Sequence, residues 1–148
     1  MTEIESKKGI VSRQPYELYM SFVDMRNFYT MLPEDKKQGV EADYDTITAT
    51  IQGFHFGVKV HDRVPYSRIE LVDFDAPLAF HIELHFDPAP SEPYKTEFWI
   101  KAEADLNLMM KMMLGGKIKS ALDKMVDSLV DMSNGKVPEG FDPKQFGL

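Results

Sequence analysis

The stretch from Leu106 to Met132, LNLMMKMMLGGKIKSALDKMVDSLVDM, constrains this chain more than any other. It is the only segment long enough for a major helix, and it follows a long run of strand-like sequence. An apolar helix at the end of a mostly β chain needs a curved sheet to close onto. In its second half Leu114, Ile118, Ala121, Leu122, Met125, Leu129 and Met132 recur at three- and four-residue spacing and define one stripe. Lys124, Asp127, Ser128 and Asp131 fall on the other side. Continued backwards, the same wheel puts Lys111 on the apolar stripe and Met109, Met112 and Met113 opposite it. One straight helix cannot bury both halves against one surface. Gly115-Gly116 marks the junction, and each glycine costs a helix interior about 1 kcal/mol against alanine. The pair predicts a bend or break, or else a site of close packing.

Before that helix the pattern has period two. Ile4 to Val11 predicts a first strand, ending in a turn at Ser12 to Gln14. Pro15 suits the first position of a helix, where its missing N–H is not needed, and Tyr16, Leu18, Tyr19, Phe22 and Val23 follow. Asp24 can cap a second short helix carrying Phe28, Met31 and Leu32, which Pro33 ends. Two such short helices cannot bury their apolar faces on each other alone. From Val40 to Ala104 apolar residues alternate with polar ones through six segments, as in Phe56, Val58, Val60, Asp62, Val64 and in Phe80, Ile82, Leu84, Phe86. That is the mark of an antiparallel sheet with one wet face. Turns fall at Asp45, Gln52-Gly53, Pro65-Tyr66, Ala76-Pro77 and Asp87 to Pro93. The expectation is seven strands, α+β, with a domain over residues 1–135. Residues 136–148 then form a Pro- and Gly-rich tail with Phe141, Phe146 and Leu148, either a disordered end or a segment docked by its aromatics.

Composition excludes several functions. A net charge of −7 without a Lys/Arg cluster argues against nucleic acid. There is no cysteine, which removes disulfides and thiolate metal sites and makes a reducing, cytoplasmic setting the default. MTEIESKK has no apolar signal core, and no run reaches membrane-spanning length.

All four histidines, His55, His61, His81 and His85, lie on the polar phase of their strands. His81-x-Glu83-x-His85 spaces three ligands about 7 Å apart on one face, and Glu97 could join two of them. Solvated strand residues are the reading adopted, so no metal and no cofactor is expected. Trp99, on the outer face, has no core role and suggests a dimer contact; a monomer or weak homodimer is expected. Among inward positions the polar exceptions are Ser6, Tyr44, Asp62 and Thr96. Asp62 and Tyr44 are the candidate acid/base residues, with a solvated rim as the simpler place for Asp62.

The element order is that of the helix-grip fold. Ile10-Val11-Ser12 with Pro15, Glu17-Leu18-Tyr19, Asp24 and Leu32-Pro33 resemble the opening of START/Bet v 1-like (SRPBCC) proteins, particularly the polyketide cyclase/dehydrase and coenzyme Q-binding branches. Asp62-Arg63-Val64-Pro65 through Ile69 and Leu71 resembles their central hairpin, and Leu106 to Lys117 a Leu-rich extension of some members. The resemblance covers residues 4–133 and carries no catalytic motif. It implies a small apolar ligand, lipid, isoprenoid/quinone or polyketide-like, held between sheet and final helix by a carrier or sensor. The wall candidates are Phe56, Val58, Val60, Ile69, Leu71, Ile82, Leu84, Phe98 and Ile100; the lid candidates are Met110, Leu114, Ile118 and Met125. Alternatives are a cyclase, dehydratase or isomerase using Asp62 or Tyr44, and an interaction module working through the Met-rich turn and tail. Charge in the cavity favours the first alternative; a solvent-exposed Met109–Met113 face favours the second.

Overall fold

A computed structural model describes residues 1–51 and 53–136. The tail beyond Lys136, and with it the expectation for Phe141, Phe146 and Leu148, lies outside the described residues. Eight strands are present among them: β1 (Thr2–Glu5), β2 (Gly9–Val11), β3 (Val40–Ala42), β4 (Thr46–Ile51), β5 (Phe54–Val64), β6 (Arg68–Asp73), β7 (Phe80–Ala89) and β8 (Glu92–Ala104). The helices are α1 (Pro15–Phe22), α2 (Arg26–Met31) and α3 (Leu108–Ser133), with a 3-10 turn at Glu34–Lys36. The sheet is antiparallel in the order β1-β8-β7-β6-β5-β4-β3, and β2 also pairs with β8. The architecture is α+β and helix-grip, as expected.

The first strand is two strands. Glu5 faces Lys101 whereas Gly9 faces Phe98, so four steps of the edge chain span three of β8. The extra length is absorbed at Ser6, which is buried. The Ile100 N–H donates to Ser6 Oγ at 2.8 Å, and the Ser6 N–H donates to the Ile100 carbonyl at 2.8 Å. Its hydroxyl therefore satisfies backbone that a regular ladder would otherwise pair.

The core lies where α1 and the C-terminal half of α3 meet the concave face. Phe22 stacks on Phe98 with centroids 6.0 Å apart and touches Phe28 and Phe86 at 5.4 and 6.1 Å. Across the β7–β8 hairpin, Phe86 opposes Phe98 and Leu84 opposes Ile100, all buried. Pro15 opens α1, as expected. Asp24 accepts from the Arg26 N–H at 2.9 Å, supporting the start of α2.

Helix α3 runs without interruption, so the break expected at Gly115-Gly116 is not there. Close packing does not explain the pair either, since a β-carbon on either glycine would meet nothing within 4 Å. Nothing in the structure accounts for them. The phase conflict is resolved by leaving one face of the first half in solvent: Leu108, Met109, Met112 and Met113 are 65–79% exposed, whereas Met110 is half-buried. The buried face of the second half is rotated from the expected stripe. It centres on Leu122 and Val126, with Ile118, Leu129 and Val130 beside them, while Met125 and Met132 stay half in solvent. Asn107 caps the start by accepting from the Met110 N–H at 2.8 Å. At the end Gly135 has φ +76°, the Gly135 N–H donates to Met132 and the Lys136 N–H to Asp131, a Schellman motif at the expected stop. No helix among the described residues is long and apolar enough to cross a membrane.

Candidate functional site: an apolar cleft beside the final helix

Helix α3 packs on β1, β2 and β8, α1 on β6 to β8, and α2 on β3 and β4. Only short helices therefore cover the middle of the sheet, and a gap remains along α3. Its main cleft, about 410 Å³, has a floor of Leu84 and Phe98 from the sheet and a side wall of Phe22, Phe28 and Met31. From α3 come Ala121, Met125, Leu129 and Met132, with Lys124 and Ser128 as the polar groups. A second hollow of about 360 Å³ lies under α2, where Met25, Phe28, Met31 and Leu32 face Ile47, Val58, Leu71 and Ile82. Phe28 and Met31 line both, so the two hollows adjoin at those side chains. A third, about 340 Å³, continues from Leu129 and Met132 toward Arg13 and Ser133.

Of the wall candidates, Leu84 and Phe98 line the main cleft, and Val58, Leu71 and Ile82 line the hollow under α2. Ile69 and Ile100 are on the concave face but fully buried in the core, 0% and 1% exposed, and Val60 packs against that core. Phe56 shares the phase of Val58 and Val60 along β5, yet it is 44% exposed and lines neither hollow. Of the lid candidates only Met125 reaches the cleft. Ile118 packs on the core; Met110 is half-buried and Leu114 38% exposed, and neither lines the cleft. Phe22, Phe28, Met31, Ala121, Leu129 and Met132 were not among the expected wall residues. The signal for Phe28 and Met31 was an apolar face on a helix too short to bury it.

The two acid/base candidates are elsewhere. Val60 pairs with Leu71 but Asp62 pairs with Glu70, so His61 is an extra residue in β5. This β-bulge turns Asp62 onto the outer face with Glu70, where it is exposed, and puts Arg63 opposite the buried Ile69. Tyr44 sits in the β3–β4 turn, 45% exposed, with the Arg63 guanidinium 4.0 Å above its ring. Tyr19, buried beside Phe86, has its phenol pushed above the usual value chiefly by burial, so it keeps its proton at neutral pH. The titratable group at the main cleft is the amine of Lys124.

The outer face is a web of charges. His81 Nε2 lies 3.2 Å from Glu70, Arg68 3.4 Å from Glu70, and Lys101 3.8 Å from Glu83. Trp99 stacks on His85 at 4.0 Å and donates its Nε1–H to Asp87 at 2.8 Å, with Lys8 over the ring. The exposed-looking Trp99 is thus engaged by its own neighbours. His81 and His85 are committed to different partners, and no group of three His, Asp or Glu able to hold a metal occurs among the described residues.

No family model matches the sequence, and no curated protein matches it. Solved structures do. A solution structure from Thermobifida fusca superposes with TM-score 0.68 over 96% of this chain and 98% of that one, at 10% identity. A START superfamily protein from Mycobacterium smegmatis gives 0.55 over 86% and 98%, at 14% identity. The chain has the START-like helix-grip fold. The Aha1 dimer from Colwellia psychrerythraea shares it too, with TM-score 0.57 over 88% of this chain and 97% of that one, at 12% identity. At such identities the likeness concerns the helix-grip fold and nothing finer.

Proposed function

We propose that this chain binds a small apolar ligand, lipid, isoprenoid/quinone or polyketide-like, in the cleft between sheet and α3, as a carrier or sensor. The observation that carries the reading is the lining of the main cleft: three phenyl rings, three aliphatic side chains, three thioethers, and polar groups only at Lys124 and Ser128. An apolar ligand gains there by leaving water, at about 25 cal/mol per Å² of apolar surface removed. The thioethers of Met31, Met125 and Met132 can adjust to bulky shapes. Lys124 and Ser128 would orient one polar end. Phe28 and Met31 border both the main cleft and the hollow under α2, so a longer ligand could extend from one into the other past them. The cysteine-free chain is compatible with a reducing, cytoplasmic setting.

Acid–base catalysis needs a titratable group within hydrogen-bond reach of the reacting atom. The outward position of Asp62 and the turn position of Tyr44 favour binding over the cyclase, dehydratase or isomerase alternative.

The test is uptake of an apolar fluorescent probe, with native mass spectrometry of freshly purified protein to identify bound lipid. Ala121→Trp places a ring in the cleft from an exposed helical position. It should abolish uptake while leaving the thermal midpoint nearly unchanged. Undiminished uptake by folded Ala121→Trp protein would overturn the assignment of the cleft.

A further inference from the structure

The first half of α3 plays no part in the cleft. Leu108, Met109, Met112 and Met113 are 75%, 70%, 79% and 65% exposed. Met109, Met112 and Met113 stand at three- and four-residue spacing, and Leu108 neighbours Met112, so the four make one continuous apolar surface. Surfaces of this kind mark contacts with other proteins or with membranes.

The charge around the patch decides between them. The chain as a whole carries −7, yet no acidic residue occurs from Leu106 to Leu122, while Lys111, Lys117 and Lys119 do. Lys119 is paired with Asp123; among the described residues Lys111 and Lys117 have no acidic partner. A second copy docking the same segment would set lysine against lysine with no acid in the segment to answer it. We propose that this half of α3 docks on an anionic lipid bilayer, lying along the interface.

The chemistry fits such a surface. Flexible thioethers and a leucine enter the boundary between headgroups and acyl chains, and lysine stems run along it with their amines among the anionic headgroups. The contact is interfacial, since the helix is not apolar enough to span. Because α3 is continuous, Met113 and Ala121 lie on one rod, about 12 Å apart along its axis. A bilayer held at the first would bring the lip of the cleft beside a reservoir of apolar molecules.

The full chain is floated with vesicles of phosphatidylcholine containing phosphatidylglycerol, and with phosphatidylcholine alone. Binding should require the anionic lipid and weaken as salt is raised. Lys111→Glu and Lys117→Glu should each weaken it about fivefold or more, and Met112→Asp with Met113→Asp should weaken it about tenfold or more. All four positions are exposed, and circular dichroism with thermal melting verifies that each variant is folded. Failure to float with anionic vesicles would overturn the proposal, as would equal binding by the Met112/Met113 variant. Self-association abolished by that variant, without vesicle binding, would assign the surface to a protein partner instead.

Discussion

Gly9 and Val126 touch so closely that a β-carbon on Gly9 would lie 2.6 Å from Val126 Cγ1, and 2.8 Å from Val130 Cγ2. This is where α3 is seated on the edge of the sheet. Valine in a helix has essentially one side-chain rotamer, so the methyls cannot swing aside and the helix itself would have to move. Gly9→Ala should therefore destabilise the protein by about 1–3 kcal/mol. Gly116→Ala, where the space is open, should instead stabilise by up to about 1 kcal/mol. Urea unfolding midpoints of the two variants should move in opposite directions. A neutral Gly9→Ala would mean that α3 is not held by this contact.

Arg63 ties three elements together. Its Nε–H donates to the Val23 carbonyl at 3.0 Å, one Nη to Asp45 at 2.8 Å and the other to the Tyr44 carbonyl at 2.8 Å. The end of α1 and the β3–β4 turn are thereby pinned to β5. A lysine ammonium cannot present that planar fork. Arg63→Lys should lose about 1–3 kcal/mol by leaving a carbonyl without its partner. Thermal melting measures it, and an unchanged midpoint would show that water replaces the guanidinium there.

His85 makes stability depend on pH. Burial, first of all, holds its imidazole below the ordinary 6.5, and Arg68 adds to this, while the charges of Glu83 and Asp87 pull the other way. Its Nε2 is 3.8 Å from Glu83, too far for a hydrogen bond, so burial prevails. The unfolded chain then binds the proton more readily than the folded one. The contribution of His85 is complete above about pH 6.5 and is lost as pH falls through the lower folded value. His85→Phe keeps a ring against Trp99 and removes the titration. The stability of the wild type relative to His85→Phe should drop as pH is lowered through this range in urea titrations. A difference that stays constant with pH would exclude His85 as the source.

Much of the fold was legible because local chemistry is enough to write it. Alternation from Val40 to Ala104 set the strands, Pro15 opened α1, and Asn134-Gly135 closed α3 through a left-handed residue. Ser6 and Thr96 stood out as inward polar residues, and both are buried: Ser6 is bonded to Ile100, and the Thr96 hydroxyl donates to the Arg13 carbonyl. The candidate cleft was legible only in part. Phase shows which side chains face inward, and Leu84, Phe98 and Met125 line the cleft and Leu71 the hollow beside it. It does not separate an inward residue under a helix, such as Ile69, from one beside a gap.

What the sequence by itself determined is therefore the elements and their order, apart from the division of the first strand, and the face most strand positions offer to the core, since these depend on neighbours within a few residues. Only the tertiary structure decided where the pattern is interrupted or outrun. The extra residue at His61 leaves the alternation of β5 looking intact while moving Asp62 to the outer face, because register is defined by the partner strand and not by the strand itself. The Met109, Met112 and Met113 face of α3 reads like core, but it ends in solvent. Burial is a property of what stands opposite a side chain, and that is set by residues far away in the chain.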